Sequence, residues 1–102
     1  MITGATGFIG LHLVKKLNAI NVSIIAIVRP NSQNVGKLLE LSNVEVIECE
    51  MSQICSISER IRYRDVDACF HLAWEGSSGD ARNNYELQMN NVKYSVECMK
   101  VA

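Results

Sequence analysis

Eight residues near the start of the chain, Thr3-Gly4-Ala5-Thr6-Gly7-Phe8-Ile9-Gly10, restrict what the rest can fold into. Their three glycines stand two residues apart. They separate an apolar scrap, Met1-Ile2, from a run with apolar residues at Phe8, Ile9, Leu11, Leu13, Val14 and Leu17. The first piece reads as strand and the second as an amphipathic helix. Gly4 permits a tight turn, because without Cβ it reaches φ values closed to other residues. Gly7 lets backbone approach a pyrophosphate, and Gly10 lets the helix pack close to the sheet. The helix N-terminus then offers unpaired N–H groups and a partial positive charge. Glycines also mark ordinary loops. The strand before, the helix after and a second apolar strand at Val22 to Val28 favour a phosphate-binding turn for a dinucleotide. Gly4, Ala5, Thr6, Gly7, Phe8, Ile9 and Gly10 are its candidate contact residues.

The remainder alternates strands and helices. Asn18 and Asn21 frame a break after the first helix, and Val22-Ser23-Ile24-Ile25-Ala26-Ile27-Val28 reads as a strand. Its nearly unbroken β-branched run suits a parallel strand covered on both faces. Pro30 ends it, having no N–H to donate and holding Arg29 extended. A short helix follows through Lys37, Leu38, Leu39 and Leu41, weakened at its start by Gly36. Val44 to Cys49 is the third strand. Ile54, Ile57 and Ile61 are spaced three and four apart, which predicts a helix over 54–62. Val66 to Ala73 is the fourth strand, Glu75 to Asn84 a polar loop, and Tyr85 onward a helix through Leu87, Asn91, Tyr94, Cys98 and Val101. Such alternation implies right-handed parallel crossovers.

The turn Thr3 to Gly10 resembles the cofactor loop of the extended short-chain dehydrogenase/reductase family, the NAD-dependent epimerase/dehydratase group. That resemblance implies an α/β, Rossmann-like three-layer fold with a parallel sheet ordered 3-2-1-4 and the cofactor across its carboxyl ends. It also implies chemistry on nucleotide-sugars or related carbonyl and alcohol substrates.

Arg29 ends the second strand where an acid would hold the ribose 2′-hydroxyl of NAD. A guanidinium there suits a 2′-phosphate, so the reading favours NADP over NAD, against an ordinary strand-end surface charge. Glu50 follows the third strand where similar proteins carry an aspartate that meets the adenine amino group; here the acid is one methylene longer. Met51 lies either against the adenine face or in the core. His71-Leu72-Ala73 resembles the family's stretch at the end of the fourth strand, where backbone lines the path between the nucleotides; His71 reads as packed rather than as a base. Leu72 and Ala73 are therefore candidates. Trp74 departs from the small residue common there, and either walls the nicotinamide side or caps the sheet edge. Asn91-Val92 resembles the family's Asn-Val pair, the asparagine supporting geometry near the nicotinamide ribose. Lys93 and Tyr94 stand where the family has Gly and Ser or Thr. A mid-helix asparagine is intrinsically unfavourable, which argues for a role.

Relatives transfer hydride with a Tyr-x-x-x-Lys pair whose lysine lowers the tyrosine pKa. Tyr63 is followed four residues on by Asp67, Tyr85 by Met89 and Tyr94 by Cys98, so no catalytic residue is expected among these 102. A net charge of −1 with 21% charged residues gives no basic face for nucleic acid or an anionic membrane. Apolar runs such as Ile24 to Val28 are far below a membrane span. Cys49, Cys55, Cys69 and Cys98 show no Cys-x-x-Cys spacing and the histidines do not join them, so no metal site is expected. Buried free thiols in a reducing cytoplasm are the reading they favour.

Only three residues precede the first glycine, and Val101-Ala102 stand inside a helical pattern. The expectation is the N-terminal part, residues 1–102, of an NAD(P)-binding domain without its substrate domain, or else a short gene product. No basic-then-apolar leader precedes Thr3. The functional expectation is the NAD(P)-binding portion of an oxidoreductase or nucleotide-sugar epimerase/dehydratase, inactive by itself and possible to pair as a homodimer. The alternatives are a non-catalytic NADP-binding redox sensor and a degenerate fragment that binds nothing.

Overall fold

The structure is a computed structural model that describes all residues, 1–102. β1 (Ile2–Thr3) leads through the glycine turn into α1 (Phe8–Ala19). Then come β2 (Ile24–Val28), α2 (Val35–Leu39) and β3 (Val44–Glu48). A 3₁₀ segment, Met51–Ile57, runs into the short α3 (Ser58–Ile61). β4 (Phe70–His71), a 3₁₀ turn at Asp80–Asn83 and α4 (Tyr85–Val101) complete the chain.

The four strands form one sheet, parallel as the alternation implies, in the order β3-β2-β1-β4 that the resemblance implies. β1 lies between β2 and β4, with Ile2 opposite Ala26 and Phe70, and Thr3 opposite Ile27 and His71. β2 explains why its sequence is apolar at every position. Successive side chains of a strand point to opposite faces. Ile24, Ala26 and Val28 join Leu11, Val14 and Leu38 in one apolar layer, while Ile27 joins Ile47, Ile54, Ile57, Ile61 and Cys98 in the other. Helices α1 and α2 thus cover one face of the sheet, and α3 with α4 the other. Each fully buried isoleucine contributes about 1.5–3 kcal/mol by leaving water.

Local signals acted as read at several joints. Asn21, with φ 62°, takes the left-handed turn that ends α1, a conformation asparagine tolerates better than most residues. The second strand begins at Ile24 rather than Val22.

Two expected elements are corrected. The helix expected over 54–62 is instead the 3₁₀ segment followed by one α-turn. Ile54 and Ile57 stand three apart and are both buried, and a three-residue turn places them on one line. Ser52, Cys55, Ser56 and Ser58 give an α-helix little intrinsic support. The fourth strand, expected over 66–73, pairs only at Phe70–His71. Its neighbour β1 offers two residues, so the ladder can be no longer. The flanking backbone still follows β1, with the Phe70 amide donating to the Met1 carbonyl at 2.9 Å and the Leu72 amide to the Thr3 carbonyl at 3.3 Å.

Candidate functional site

All four strands point their carboxyl ends the same way, so the residues just beyond them form one rim: Gly4, Arg29, Glu50 and Leu72-Ala73. The glycine turn is built for close approach of backbone to backbone. Gly4 has φ +65°, and a Cβ there would stand 2.8 Å from the Ala73 nitrogen and 2.8 Å from the Leu72 carbonyl carbon. At Gly10 a Cβ would run into the Gly4 carbonyl oxygen and lie 2.9 Å from the Ala5 Cα. Gly10 therefore lets α1 press onto the turn, and Gly4 lets the turn press onto the end of β4.

Gly7 differs from both. It is the N-cap of α1, in extended conformation, and its only close neighbour would be the Gly4 oxygen at 3.2 Å. No side chain caps this helix and its first turn holds no acid. The amides of Phe8, Ile9 and Gly10 have no backbone acceptor, because the first bond of the helix runs from the Leu11 amide to the Gly7 carbonyl, 2.9 Å. Three N–H groups and the positive end of the helix thus converge on a surface kept bare by Gly7. These features fit a diphosphate.

The loop after β2 is fastened to this turn. Ser32 Oγ donates to Thr6 Oγ1 at 2.8 Å, and Asn34 Nδ2 donates to the Thr6 carbonyl at 3.2 Å. Arg29, exposed, opens that loop. Ala5 is fully buried, its methyl in the apolar layer beneath α1, so only its backbone is available to a ligand. Phe8 and Ile9 project into solvent from the first turn, with Phe8 against the His12 ring at 4.8 Å between centroids.

Thr3 holds the other side. Its buried hydroxyl accepts from the Leu72 amide at 3.2 Å and the Ala73 amide at 3.3 Å, and stands 2.8 Å from His71 Nδ1. With both lone pairs engaged, the hydroxyl proton points at Nδ1, which assigns His71 the neutral tautomer protonated at Nε2. Burial pushes the His71 imidazole below its ordinary value. His71 is thus a positioning group inside the rim, in keeping with its reading as a packed residue.

Beyond Ala73 lies a cleft of about 170 Å³ lined by Glu50, Met51, Ala73, Trp74, Asn91 and Tyr94, among others. Five of these were singled out from sequence. Glu50 is exposed at its edge and Met51 half-buried. Asn91 is buried and grips the backbone of Glu75, accepting from its amide at 3.1 Å and donating to its carbonyl at 2.8 Å. Trp74 is half-exposed, and its indole N–H donates to Gln88 Oε1 at 2.8 Å. A larger cavity, about 680 Å³, opens between Ser23, Asn43 and Asp67 at the amino ends of the strands. Ligands of open α/β sheets sit at the carboxyl ends, so the smaller cleft continues the site.

The model of the NAD dependent epimerase/dehydratase family matches residues 1–102. The chain belongs to that family. Membership carries a dinucleotide cofactor of the NAD(P) type, and the geometry of the glycine turn suits one. Of the other residues on this rim, Thr3, Ser32, Asn34, Gln88 and Glu75 were missed from sequence. Gln88 had a readable signal, since it stands three residues before Asn91 on the same helical face. Ser32 and Asn34 had none, because their partner, Thr6, is 26 and 28 residues away.

No helix of the structure is long and apolar enough to cross a membrane.

Proposed function

We propose that this rim binds NADP, and that the chain serves as the cofactor half of an oxidoreductase or a nucleotide-sugar epimerase/dehydratase. The observation that carries the reading is the bare, uncapped start of α1, where the Phe8, Ile9 and Gly10 amides stand free above Gly7. When bound, the nicotinamide would accept or give hydride. The chain's own part is to bind and orient: the α1 amides hold the diphosphate, Glu50 and Met51 border the adenine, and Leu72, Ala73 and Trp74 line the path to the nicotinamide. Asn91 fixes that path by holding Glu75.

Arg29 supports NADP over NAD, because a guanidinium at the end of β2 meets a 2′-phosphate with paired hydrogen bonds. Calorimetric titration with NADPH and with NADH, on the protein and on Gly7→Val, tests both parts. NADPH heats that vanish in Gly7→Val, and an Arg29→Asp protein that prefers NADH, are the expected results. Equal heats in protein and variant would defeat the assignment of the turn.

Proton transfer in this family uses Tyr-x-x-x-Lys, which these residues do not hold; binding without turnover is therefore expected of them. That same feature favours a second reading, a redox-sensing module that binds NADP without reaction. Turnover of any carbonyl or nucleotide-sugar substrate in a longer form of the protein would discard it. Four free cysteines suit a reducing cytoplasm.

The outer face of α4 supports a homodimer. Asn91 and Cys98 turn inward and are buried, while Tyr85, Met89, Val92, Val96 and Met99 are exposed at alternating intervals of four and three. That spacing is the seam of a helix pair.

A further inference from the structure

Two thiols meet on the face of the sheet that α4 covers, away from the cofactor rim. Cys69 stands just before β4 and is half-buried; Cys98, in α4, is fully buried. Their sulfurs are 3.9 Å apart and both are free. A disulfide bond is about 2.05 Å long, so closing the pair asks for a movement of about 2 Å. The other two cysteines have no such neighbour. Cys55 is exposed, and Cys49 is buried with its thiol directed at the Glu50 carbonyl at 3.2 Å.

We propose that Cys69 and Cys98 are a reversible dithiol/disulfide site, oxidised by a hydroperoxide with Cys69 as the attacking sulfur and Cys98 as the resolving one.

The geometry divides the roles. Only Cys69 is reached by solvent; either sulfur could donate the hydrogen bond between them, and the fully buried Cys98, the harder of the two to ionise, is the one that keeps its proton. That bond holds the Cys69 pKa down to about 7, while the proton is kept on Cys98, whose own pKa is pushed up by the same contact and by burial. A half-exposed thiolate beside a protonated thiol is the arrangement that peroxide chemistry selects.

In the first step the Cys69 thiolate attacks the peroxide. An S–O bond forms, the O–O bond breaks, and the leaving hydroxide combines with the proton that Cys69 released to solvent on ionising, giving a sulfenic acid and one water. In the second step the Cys98 sulfur attacks Cys69. The S–S bond forms, the S–O bond breaks, and the departing hydroxide carries off the Cys98 proton as water. Two thiols and one hydrogen peroxide thus give one disulfide and two waters. A small thiol such as glutathione reverses the bond by exchange.

The bridge would join two segments that shape the rim: the stretch at the start of β4, the strand that leads into Leu72-Ala73, and α4, which carries Asn91. It also closes a loop over residues 70–97, which restrains the unfolded chain.

The test uses the Cys55→Ser protein, so that the exposed thiol cannot compete. Hydrogen peroxide is added, the sample is denatured and alkylated, and its peptides are weighed. A peptide pair linked through Cys69 and Cys98, lost again on adding dithiothreitol, is expected, together with a higher melting temperature of the oxidised protein. Cys98→Ala in the same background should stop at a Cys69 sulfenic acid that dimedone traps. A dimedone adduct on Cys69 without any linked peptide in the Cys55→Ser protein would overturn the proposal. Oxidation of Cys49 as fast as Cys69 would do the same. Neither result depends on whether the Cys98→Ala protein folds.

Discussion

The Asn91 side chain in α4 satisfies both backbone polar atoms of Glu75, the amide at 3.1 Å and the carbonyl at 2.8 Å. One amide thereby fixes the loop that leaves β4, at the point where Trp74 borders the cleft. Its Nδ2 is also 3.3 Å from Gln88 Oε1, which takes the Trp74 indole proton. The helix pays a small propensity penalty for asparagine at this position, of roughly 0.5 kcal/mol, and gains two partly buried hydrogen bonds.

Asn91→Asp keeps an acceptor for the Glu75 amide and loses the donor to its carbonyl, besides burying a charge. Asn91→Leu loses both bonds. We expect each to lower stability by about 1–3 kcal/mol in urea denaturation, with weaker NADPH binding in calorimetry because the loop after Ala73 is no longer held. Unchanged stability in both variants would show that solvent replaces the contact at no cost.

Two glycines of the turn, Gly7 and Gly10, are predicted to respond differently to the same methyl group. In Gly10→Ala the new Cβ meets the Gly4 carbonyl and the Ala5 Cα, all backbone. Helix α1 must then move off the turn, at about 1–3 kcal/mol or more. Gly7→Ala meets only the Gly4 oxygen, at 3.2 Å, in a backbone conformation open to alanine. Its stability should fall by less than about 1 kcal/mol, yet its methyl occupies the surface where the diphosphate would lie. Thermal melts and NADPH titrations therefore separate the two: Gly10→Ala loses stability first, Gly7→Ala loses binding with the fold intact.

His71 should give the protein an acid-side stability slope. Its imidazole is held below its ordinary value of 6.5 by burial. Between the folded value and 6.5 the unfolded chain binds a proton that the folded chain refuses, so stability rises with pH there. The contribution is complete above 6.5 and is lost as pH falls toward the folded value. Protonation would also place an N–H at Nδ1, facing a Thr3 hydroxyl whose lone pairs already serve Leu72 and Ala73. Urea midpoints measured from pH 7.5 down to about 5 should fall more steeply for the protein than for His71→Gln. Parallel curves would assign the slope to other groups.

The parts of this architecture that sequence made legible are those fixed by short-range geometry. Three glycines at a strand–helix joint, a strand apolar at every residue from Ile24 to Val28, and an asparagine inside a helix each state a local requirement, and each lies where the sheet order 3-2-1-4 needs it. What escaped depended on partners far along the chain. Ile54, Ile57 and Ile61 have the spacing of an α-helix, and the joint burial of Ile54 and Ile57 against the sheet favours the tighter coil that holds them, with Ile61 in the α-turn that follows. The length of β4 is set by β1, 67 residues earlier at the Met1–Ala68 bond, and no pattern within 66–73 records it. Thr3 opens the glycine motif, but nothing in the sequence gives its side chain a role. Its hydroxyl became the hub of the rim because β1 and β4 end at the same level.

The exposed face of α4 yields the last prediction. A 17-residue helix that buries Asn91 and Cys98 on one side would ordinarily be polar on the other. Here Met89, Val92, Val96 and Met99 form an uncovered apolar line, with Lys93 and Glu97 paired beside it at 3.9 Å. Two such helices, packed across a two-fold axis, would bury both lines and leave the charged pair at the rim. Val92→Lys and Val96→Lys each set a cation into that seam, where it finds no partner on the symmetric copy but another lysine. We expect sedimentation equilibrium to report a dimer for the protein and at least about tenfold weaker association, ~1.4 kcal/mol, for either variant. NADPH binding should be unchanged, because neither valine reaches the cleft. A protein that sediments as a monomer at every concentration would remove α4 as a pairing surface.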